Sequence, residues 1–357
     1  MAEAPRLREH FARLYPTWRI VEIEPLAPDT GARQGSTEKA IGYGLPVRVR
    51  LVDEHGVEHA RVWRVSSANE FGHDRRADRA GNALLAFDDF ARIPAHIEAV
   101  DVGAIAKSGE LVSLRDWDEL YVITTFAPGT IYADDLRRIA EDGVATDLDL
   151  ARVDVLATYL ARLHVPMTGA PQYRRAIRDL VGHGEGIFGI IDGYPSTPLT
   201  GRLRMIEQRC VEWRWRLRAH EDRLARTHGD FHPFNVVFDG TQLACLDASR
   251  GTCGDPADDL TAMAVNFVLF AIDHRASWRR GLGVLWHRFW ETYARERPDP
   301  VLLQIAPPFF AWRMLVVCNP KFYPRLDDVA RAELLDFAAG VLDAGVLDPR
   351  SADRLFP

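Results

Sequence analysis

One segment, residues 227–260, constrains the fold of this chain more than any other part of the sequence. It reads THGDFHPFNVVFDGTQLACLDASRGTCGDPADDL. Two short apolar runs flank the turn signal Asp239-Gly240, which predicts a β-hairpin over residues 236–246. Such a hairpin brings Asn235 and Asp247 to the same end of the strand pair, and therefore gathers oxygen-bearing side chains at one point.

These side chains suit phosphoryl transfer. Amide and carboxylate oxygens such as those of Asn235 and Asp247 are ligands that Mg²⁺ accepts, together with water and phosphate oxygens. Asp230, five residues before Asn235, is placed to accept a proton from an attacking hydroxyl group. The alternative interpretation is a polar loop of capping and turn residues, because Asp, Asn and Gly are common in such loops.

The acidic residues that follow allow a structural interpretation. Asp255 precedes Pro256, and Asp258 and Asp259 lie near a predicted helix start, so all three acids are natural helix caps. His228 is interpreted as a structural residue that hydrogen-bonds the backbone of its loop.

The composite pattern H-G-D-x-x-x-x-N, then L-D, then G-D-P-x-x-D resembles the aminoglycoside phosphotransferase and choline kinase group of small-molecule kinases. The resemblance implies a bilobal, protein-kinase-like α+β fold. It implies Asp230 as the catalytic base, Asn235 and Asp247 as metal ligands, and ATP (or GTP) and Mg²⁺ as cofactors.

The order of elements along the chain agrees with two lobes. Alternating residues predict a hairpin over 47–65, a helical pattern covers 73–90, and further strands are expected near 99–105, 109–114 and 119–125. After the break at Ala127-Pro128-Gly129 the chain is predominantly helical. We therefore expect an antiparallel-sheet nucleotide-binding lobe over residues 1–127. A larger helical lobe with the catalytic loop and substrate site is expected over residues 128–357.

The resemblance also suggests nucleotide contacts in the first lobe. Arg64, at the end of a predicted strand, is the candidate for the α- and β-phosphates, and a solvated strand-end arginine is the alternative. Asp78 is chosen as the carboxylate partner of Arg64. Asp74 lies one helical turn earlier on the same face and remains an alternative, as do surface pairs with nearby arginines.

Two further segments are candidates for nucleotide binding. Residues 31–44 are rich in glycine and contain Ser36, and their backbone N–H groups suit phosphate; a mobile glycine loop is the alternative. Residues 121–129 resemble the strand-to-linker segment whose backbone binds the adenine edge in this family, with Thr124 and Phe126 as the candidates.

The acceptor site is expected near two departures from the family pattern. His183 and Glu185 lie among three glycines, where Glu185 suits an ammonium or hydroxyl group, and a flexible turn between helices is the alternative. Arg250 follows the predicted metal ligand and suits transition-state charge. The alternative for Arg250 is an ion pair with Asp255 or Asp258. Arg174, Arg175 and Arg178, which precede His183, suit an acidic acceptor, and the net charge of −7 suits a cationic one.

Composition excludes several classes of protein. The acidic excess argues against a nucleic-acid partner, and no apolar run reaches the length of a membrane span. Four cysteines without metal-site spacing fit the cytoplasm. The oligomeric state stays open.

We predict a kinase that phosphorylates a hydroxyl of a small molecule such as an aminoglycoside, amino alcohol or sugar. The alternatives are a non-catalytic nucleotide-binding protein on the same fold and, less favoured without an A-P-E segment, a protein kinase.

Overall fold

The computed structural model describes residues 4–26, 46–196, 198–248 and 250–357. The strands are β1 (Arg19–Pro25), β2 (Val47–Val52), β3 (Glu58–Trp63), β4 (Gly103–Ile105), β5 (Leu111–Ser113), β6 (Thr130–Ile131), β7 (Ala225–Arg226), β8 (Val236–Asp239), β9 (Gln242–Cys245) and β10 (Cys253–Gly254). The helices are α1 (Ala4–Leu14), α2 (Arg76–Asp89), α3 (Tyr132–Asp142), α4 (Asp147–Leu163), α5 (Ala170–Gly182), α6 (Ile187–Asp192), α7 (Thr200–Leu217), α8 (Pro256–Ile272), α9 (Gly283–Glu296), α10 (Leu302–Ile305), α11 (Pro307–Val317) and α12 (Asp328–Ala344).

The chain divides into two compact units, one ending at Ile123 and one running over Thr124–Pro357. The first unit contains a three-stranded antiparallel sheet in the order β1-β2-β3 and a separate β4-β5 hairpin. The second unit is mainly helical. The α+β class predicted from the sequence is therefore confirmed.

The predicted first hairpin forms because its alternating residues divide between two environments. Val49 and Leu51 of β2 are buried, and they share a small core with Leu7 and Phe11 of α1. The neighbouring β2 arginines instead pair with glutamates across the sheet, as Arg50 does with Glu22. This period-2 pattern is what the sequence predicts for a strand with one buried face.

The prediction of a strand over residues 119–125 is wrong, because this stretch has no regular secondary structure. The side chains of Tyr121, Val122 and Ile123 are more than four-fifths exposed. Their β-branched and aromatic character favours a strand only where a neighbouring strand and an apolar face receive it.

Two helices begin at side chains that accept hydrogen bonds from their first turn. The helical pattern near residue 73 becomes α2, whose first turn is closed by Asp78 accepting from the Arg75 backbone N–H at 2.8 Å. In α4 the cap is Thr146, whose side chain accepts from the Asp149 N–H.

The core of the second unit surrounds α8. Nearly every residue of this helix is buried, which explains why its sequence is apolar on all sides. A small sheet in the order β6-β8-β9 lies at the edge of that core. Gly129, at the predicted break, has a φ of +125°, and a Cβ there would lie 2.4 Å from the Phe238 carbonyl oxygen. Glycine is therefore needed for β6 to approach β8.

No helix within the described ranges has the length and apolar character needed to span a bilayer.

Candidate active site

The β8-β9 hairpin brings the two predicted metal ligands to one end, as the sequence indicates. Val236 pairs with Cys245, and the Leu246 N–H donates to the Asn235 carbonyl oxygen at 2.8 Å. Asp247 is the next residue, is exposed, and has a φ of +41°. A left-handed aspartate is an uncommon and mildly strained conformation that is enriched at functional sites.

The loop that carries Asp230 depends on a glycine immediately before it. Gly229 has a φ of +83°, and a Cβ on it would lie 3.0 Å from the Gly251 carbonyl oxygen and 3.4 Å from the Arg250 Cβ. The loop and the segment after β9 therefore approach closely only with glycine at this position. His228 acts as the sequence suggests: its Nδ1 accepts from the Asp230 N–H at 3.3 Å.

Asp259 of α8 also holds this loop in place. Its carboxylate accepts the backbone N–H groups of His228 at 2.7 Å and Gly229 at 2.8 Å. His164 Nε2 lies 3.2 Å from the same carboxylate, and His164 Nδ1 lies 2.8 Å from the Tyr293 hydroxyl. The sequence suggested that Asp259 is a helix cap. In the structure it is instead a buried residue that holds the loop.

The surroundings of Asp259 favour its ionised form. Burial alone would raise the pKa of Asp259, but the hydrogen bonds from His164 and from the His228 and Gly229 N–H groups outweigh it. The pKa of Asp259 in the folded protein therefore lies below its ordinary value. A carboxylate with a lowered pKa stabilises the folded state at pH values above the pKa that the group has in the unfolded chain. That stabilisation is lost as the pH falls through the pKa of the folded state.

The substitution Asp259→Asn is therefore expected to destabilise the protein by about 2–3 kcal/mol at pH 7. The difference in unfolding free energy between wild type and this variant should become smaller as the pH falls below about 4, where Asp259 of the unfolded chain begins to bind a proton. Urea unfolding at several pH values measures this gap. The control is Asp343→Asn, whose exposed carboxylate pairs with Arg209. A gap that does not change with pH would contradict the prediction.

Asp230 lies among positive charges. Its Oδ1 accepts from Arg313 Nη1 at 2.8 Å and also from Arg250 Nη2, and its Oδ2 lies 3.5 Å from His232 Nε2. Burial alone would raise the pKa of Asp230, but the nearby His232 ring and the charges of both arginines outweigh it, so this pKa lies well below its ordinary value. Asp230 is therefore a carboxylate at neutral pH.

Arg313 is a site residue that the sequence analysis missed. It lies on α11, is 4% exposed, and donates to Asp230, to the Gly229 carbonyl oxygen at 3.0 Å and to Asp258. Asp258, expected to be a cap, is therefore the ion-pair partner of Arg313. The available signal was the single charge in the apolar sequence PPFFAWRMLVV, because a charge in such a run must find a buried partner.

The structure also brings the predicted acceptor residue Arg250 to Asp230, and Glu185 to Arg250. Arg250 pairs with Asp230 itself rather than directly with Asp255 or Asp258, and Glu185 Oε2 lies 3.6 Å from Arg250 Nε. His183 is exposed, and its Nδ1 accepts from the Glu185 N–H at 3.2 Å.

Asp255 does cap α8, as expected. Its Oδ1 accepts from the Ala257 N–H at 3.0 Å. It also receives two hydrogen bonds from Arg223, at 2.8 and 2.9 Å, and one from the Tyr173 hydroxyl at 3.0 Å. These contacts join α5 to the start of α8. The hydrogen bonds of Asp255 are therefore made to these residues and not to the groups around Asp230.

The donor set at the hairpin end fits a divalent cation held in part by other ligands. Asn235 Nδ2 donates to the Asp230 carbonyl oxygen at 3.1 Å, which turns the amide oxygen away from Asp230. Within the described ranges no group of three His, Cys, Asp or Glu side chains could hold a metal ion. The Asn235 amide oxygen and the Asp247 carboxylate are oxygen donors of the kind that Mg²⁺ accepts beside water and phosphate oxygens.

The candidate nucleotide residues are placed as follows. Arg64 is exposed just after β3 and lies over the Phe90 ring at 6.0 Å, and Asp78 closes the first turn of α2. Thr124 and Phe126 begin the second unit with exposed side chains. Ser36 and the glycine-rich segment around it lie outside the described residues.

Comparison with solved structures returns remote likenesses. An ethanolamine kinase from Plasmodium vivax is 11% identical, with 93% of this chain and 84% of that chain covered and a TM-score of 0.35. A glucosamine kinase is 15% identical, with 92% of each chain covered and a TM-score of 0.40. An amicoumacin kinase is 13% identical, with 97% and 96% covered and a TM-score of 0.38. These likenesses are too remote to carry a substrate or mechanism to this chain.

The sequence comparisons are more decisive. A search of curated proteins finds no match. The model of the phosphotransferase enzyme family, in contrast, matches residues 49–298, which include the Asp230 loop, the hairpin and α8. The match covers well over half of the chain and agrees with the resemblance carried by the H-G-D, L-D and G-D-P motifs. The protein therefore belongs to the phosphotransferase enzyme family.

Proposed function

We propose that this protein is a kinase that transfers the γ-phosphoryl group of ATP, with Mg²⁺, to a hydroxyl group of a small molecule. The observation that carries the proposal is the cluster of Asp230, Asn235 and Asp247. Asn235 joins the two halves of this cluster, because its side chain bonds the Asp230 loop and its backbone pairs with the residue before Asp247.

In the proposed reaction, Asp230 orients the acceptor hydroxyl and receives its proton. The acceptor oxygen forms a bond to the γ-phosphorus, the bond from that phosphorus to the bridging oxygen breaks, and ADP leaves. Asp230 suits this step because it is ionised at neutral pH and 15% exposed in its side chain, so it remains reachable. Bound Mg²⁺ would neutralise phosphate charge from its position at Asn235 and Asp247.

The substitution Asp247→Ala is expected to weaken the binding of Mg²⁺-ATP about tenfold or more, because it removes the one carboxylate of the proposed metal site. Nucleotide binding in EDTA should change less than twofold. Titration calorimetry with and without Mg²⁺ measures both affinities. Asp239→Asn, at the exposed turn of the same hairpin, is the control. An equal loss in both conditions would assign Asp247 to the fold and not to the metal.

The function itself is tested by Mg²⁺-dependent ATP consumption with a panel of acceptors. The panel contains aminoglycosides, choline-like amines, sugars, nucleosides and hydroxy amino acids. We expect consumption that depends on one class of compound, with phosphate recovered on that compound. ATP binding without transfer to any acceptor would favour the alternative, a non-catalytic nucleotide-binding protein, and phosphate on protein acceptors would favour a protein kinase.

A further inference from the structure

The Arg250 guanidinium lies beside Asp230 with part of its donor capacity unused. Nη2 donates to Asp230 Oδ1, whereas Nε and Nη1 are buried and have no hydrogen-bond partner among the described residues. The nearest further acid is Glu185, which is 61% exposed and lies 3.6 Å from Nε. Buried donors without acceptors are costly, so this arrangement is one that an added acceptor would stabilise.

Arg250 is not needed to hold Asp230 in place, because Arg313 does so. Arg313 Nη1 donates to the same Asp230 oxygen at 2.8 Å, and the rest of its guanidinium is taken up by Gly229 and Asp258. Each guanidinium nitrogen of Arg313 therefore donates a hydrogen bond, and this buried arginine is a structural cation. Arg250 is the less buried of the two arginines, with its side chain 22% exposed.

The Arg250 guanidinium is nevertheless held in a defined position. Its centre lies 4.7 Å from the centre of the Trp312 ring, and the Trp312 indole N–H donates to the Glu185 carbonyl oxygen at 2.9 Å. A planar guanidinium supported by an aromatic face is prepared to bind an oxyanion through two donors.

We propose that Arg250 binds an oxyanion of the reactants next to Asp230, and in doing so leaves Oδ1 of Asp230 to Arg313 alone. The ligand is a phosphoryl or carboxylate group, whose oxygens match the donor geometry of a guanidinium. It has two sources, the phosphoryl group in transfer or an acidic group on the acceptor. The second source would make the acceptor an anionic hydroxyl compound. The inference rests on the proposed function, and its first test requires no turnover.

That first test measures the binding of inorganic phosphate to the full chain by titration calorimetry, against sodium chloride at matched ionic strength. We expect saturable binding that Arg250→Gln weakens about tenfold or more, because charge-assisted hydrogen bonds are lost. Arg250→Lys, which keeps the charge but not the fork, should be intermediate. The control is Arg202→Gln, which removes an exposed arginine paired with Asp336. Circular dichroism establishes that each variant is folded.

Equal phosphate affinity in wild type and Arg250→Gln would overturn the proposal, as would the absence of saturable binding by the wild type. Neither result depends on finding an acceptor. Failure of the proposed function would instead show as a silent acceptor panel while phosphate binding still depended on Arg250.

A second measurement distinguishes the two sources, using the acceptor that the panel identifies. If Arg250 contacts the transferred group, Arg250→Gln should lower kcat at least tenfold and leave the acceptor KM within twofold. If Arg250 contacts an acidic group of the acceptor, the KM should rise at least tenfold with kcat retained. Unchanged kcat and KM would count against the proposal in both forms.

Discussion

Replacing Asp230 with Asn is expected to lower kcat by a factor of about 10²–10⁴, the contribution that a positioned general base typically makes. The amide has nearly the shape of the carboxylate but cannot take the hydroxyl proton. Nucleotide affinity should stay within about threefold, because Asp230 is not among the proposed metal ligands. The measurement is steady-state turnover with the acceptor from the panel, beside calorimetric titration with Mg²⁺-ATP.

Asp239→Asn supplies the matched control for this substitution. It makes the same chemical change nine residues later, at the exposed end of β8, and should leave turnover unchanged. Full turnover by Asp230→Asn would remove Asp230 as the base. A loss of both turnover and nucleotide binding would instead show that the substitution damages the loop.

The substitution Arg313→Met is expected to lower the free energy of unfolding by about 3–5 kcal/mol, the cost of removing one partner of a buried ion pair. Methionine keeps much of the apolar stem of arginine on α11, so the loss reports mainly on the charges left behind. Asp258 and Asp230 would then share a buried region without their common cation. Urea unfolding at pH 7, followed by circular dichroism, measures the change.

A double substitution tests the cause of that loss. Arg313→Met with Asp258→Asn should recover part of the stability, because the second change removes a buried carboxylate that has lost its cation. Arg288→Met removes a more exposed pair with Asp154 and should cost less than about 1 kcal/mol. If Arg313→Met were no more destabilising than Arg288→Met, Arg313 would not be the central cation of this cluster.

The accuracy of the sequence-based predictions depended on how local their signals were. The β8-β9 hairpin was predictable because its strands and its Asp-Gly turn lie within a dozen residues, so the register follows from turn geometry. The helical pattern that became α2 was predictable for the same reason. The strand expected at residues 119–125 failed because strand formation also needs a partner strand, which sequence alternation does not supply.

The partners of the charged residues were not predictable in this way. Arg313 lies 83 residues after Asp230 and Asp259 lies 31 residues after His228, so nothing in either local sequence names the other. Three neighbouring acids, Asp255, Asp258 and Asp259, were all assigned as caps, and only the packing of α8 gave them different roles. One caps the helix, one neutralises Arg313, and one holds the Asp230 loop.

The sequence by itself determined the family, the hairpin and the spacing that places Asp230, Asn235 and Asp247 together, because these depend on short stretches of chain. The tertiary structure alone decided which cations surround Asp230. Burial makes an unpaired charge costly, and the packing of α11, α8 and the segment after β9 gives each charge a partner. Arg313 pairs with Asp230 and Asp258, and Arg250 pairs with Asp230. That choice is made by the whole core and not by any local pattern.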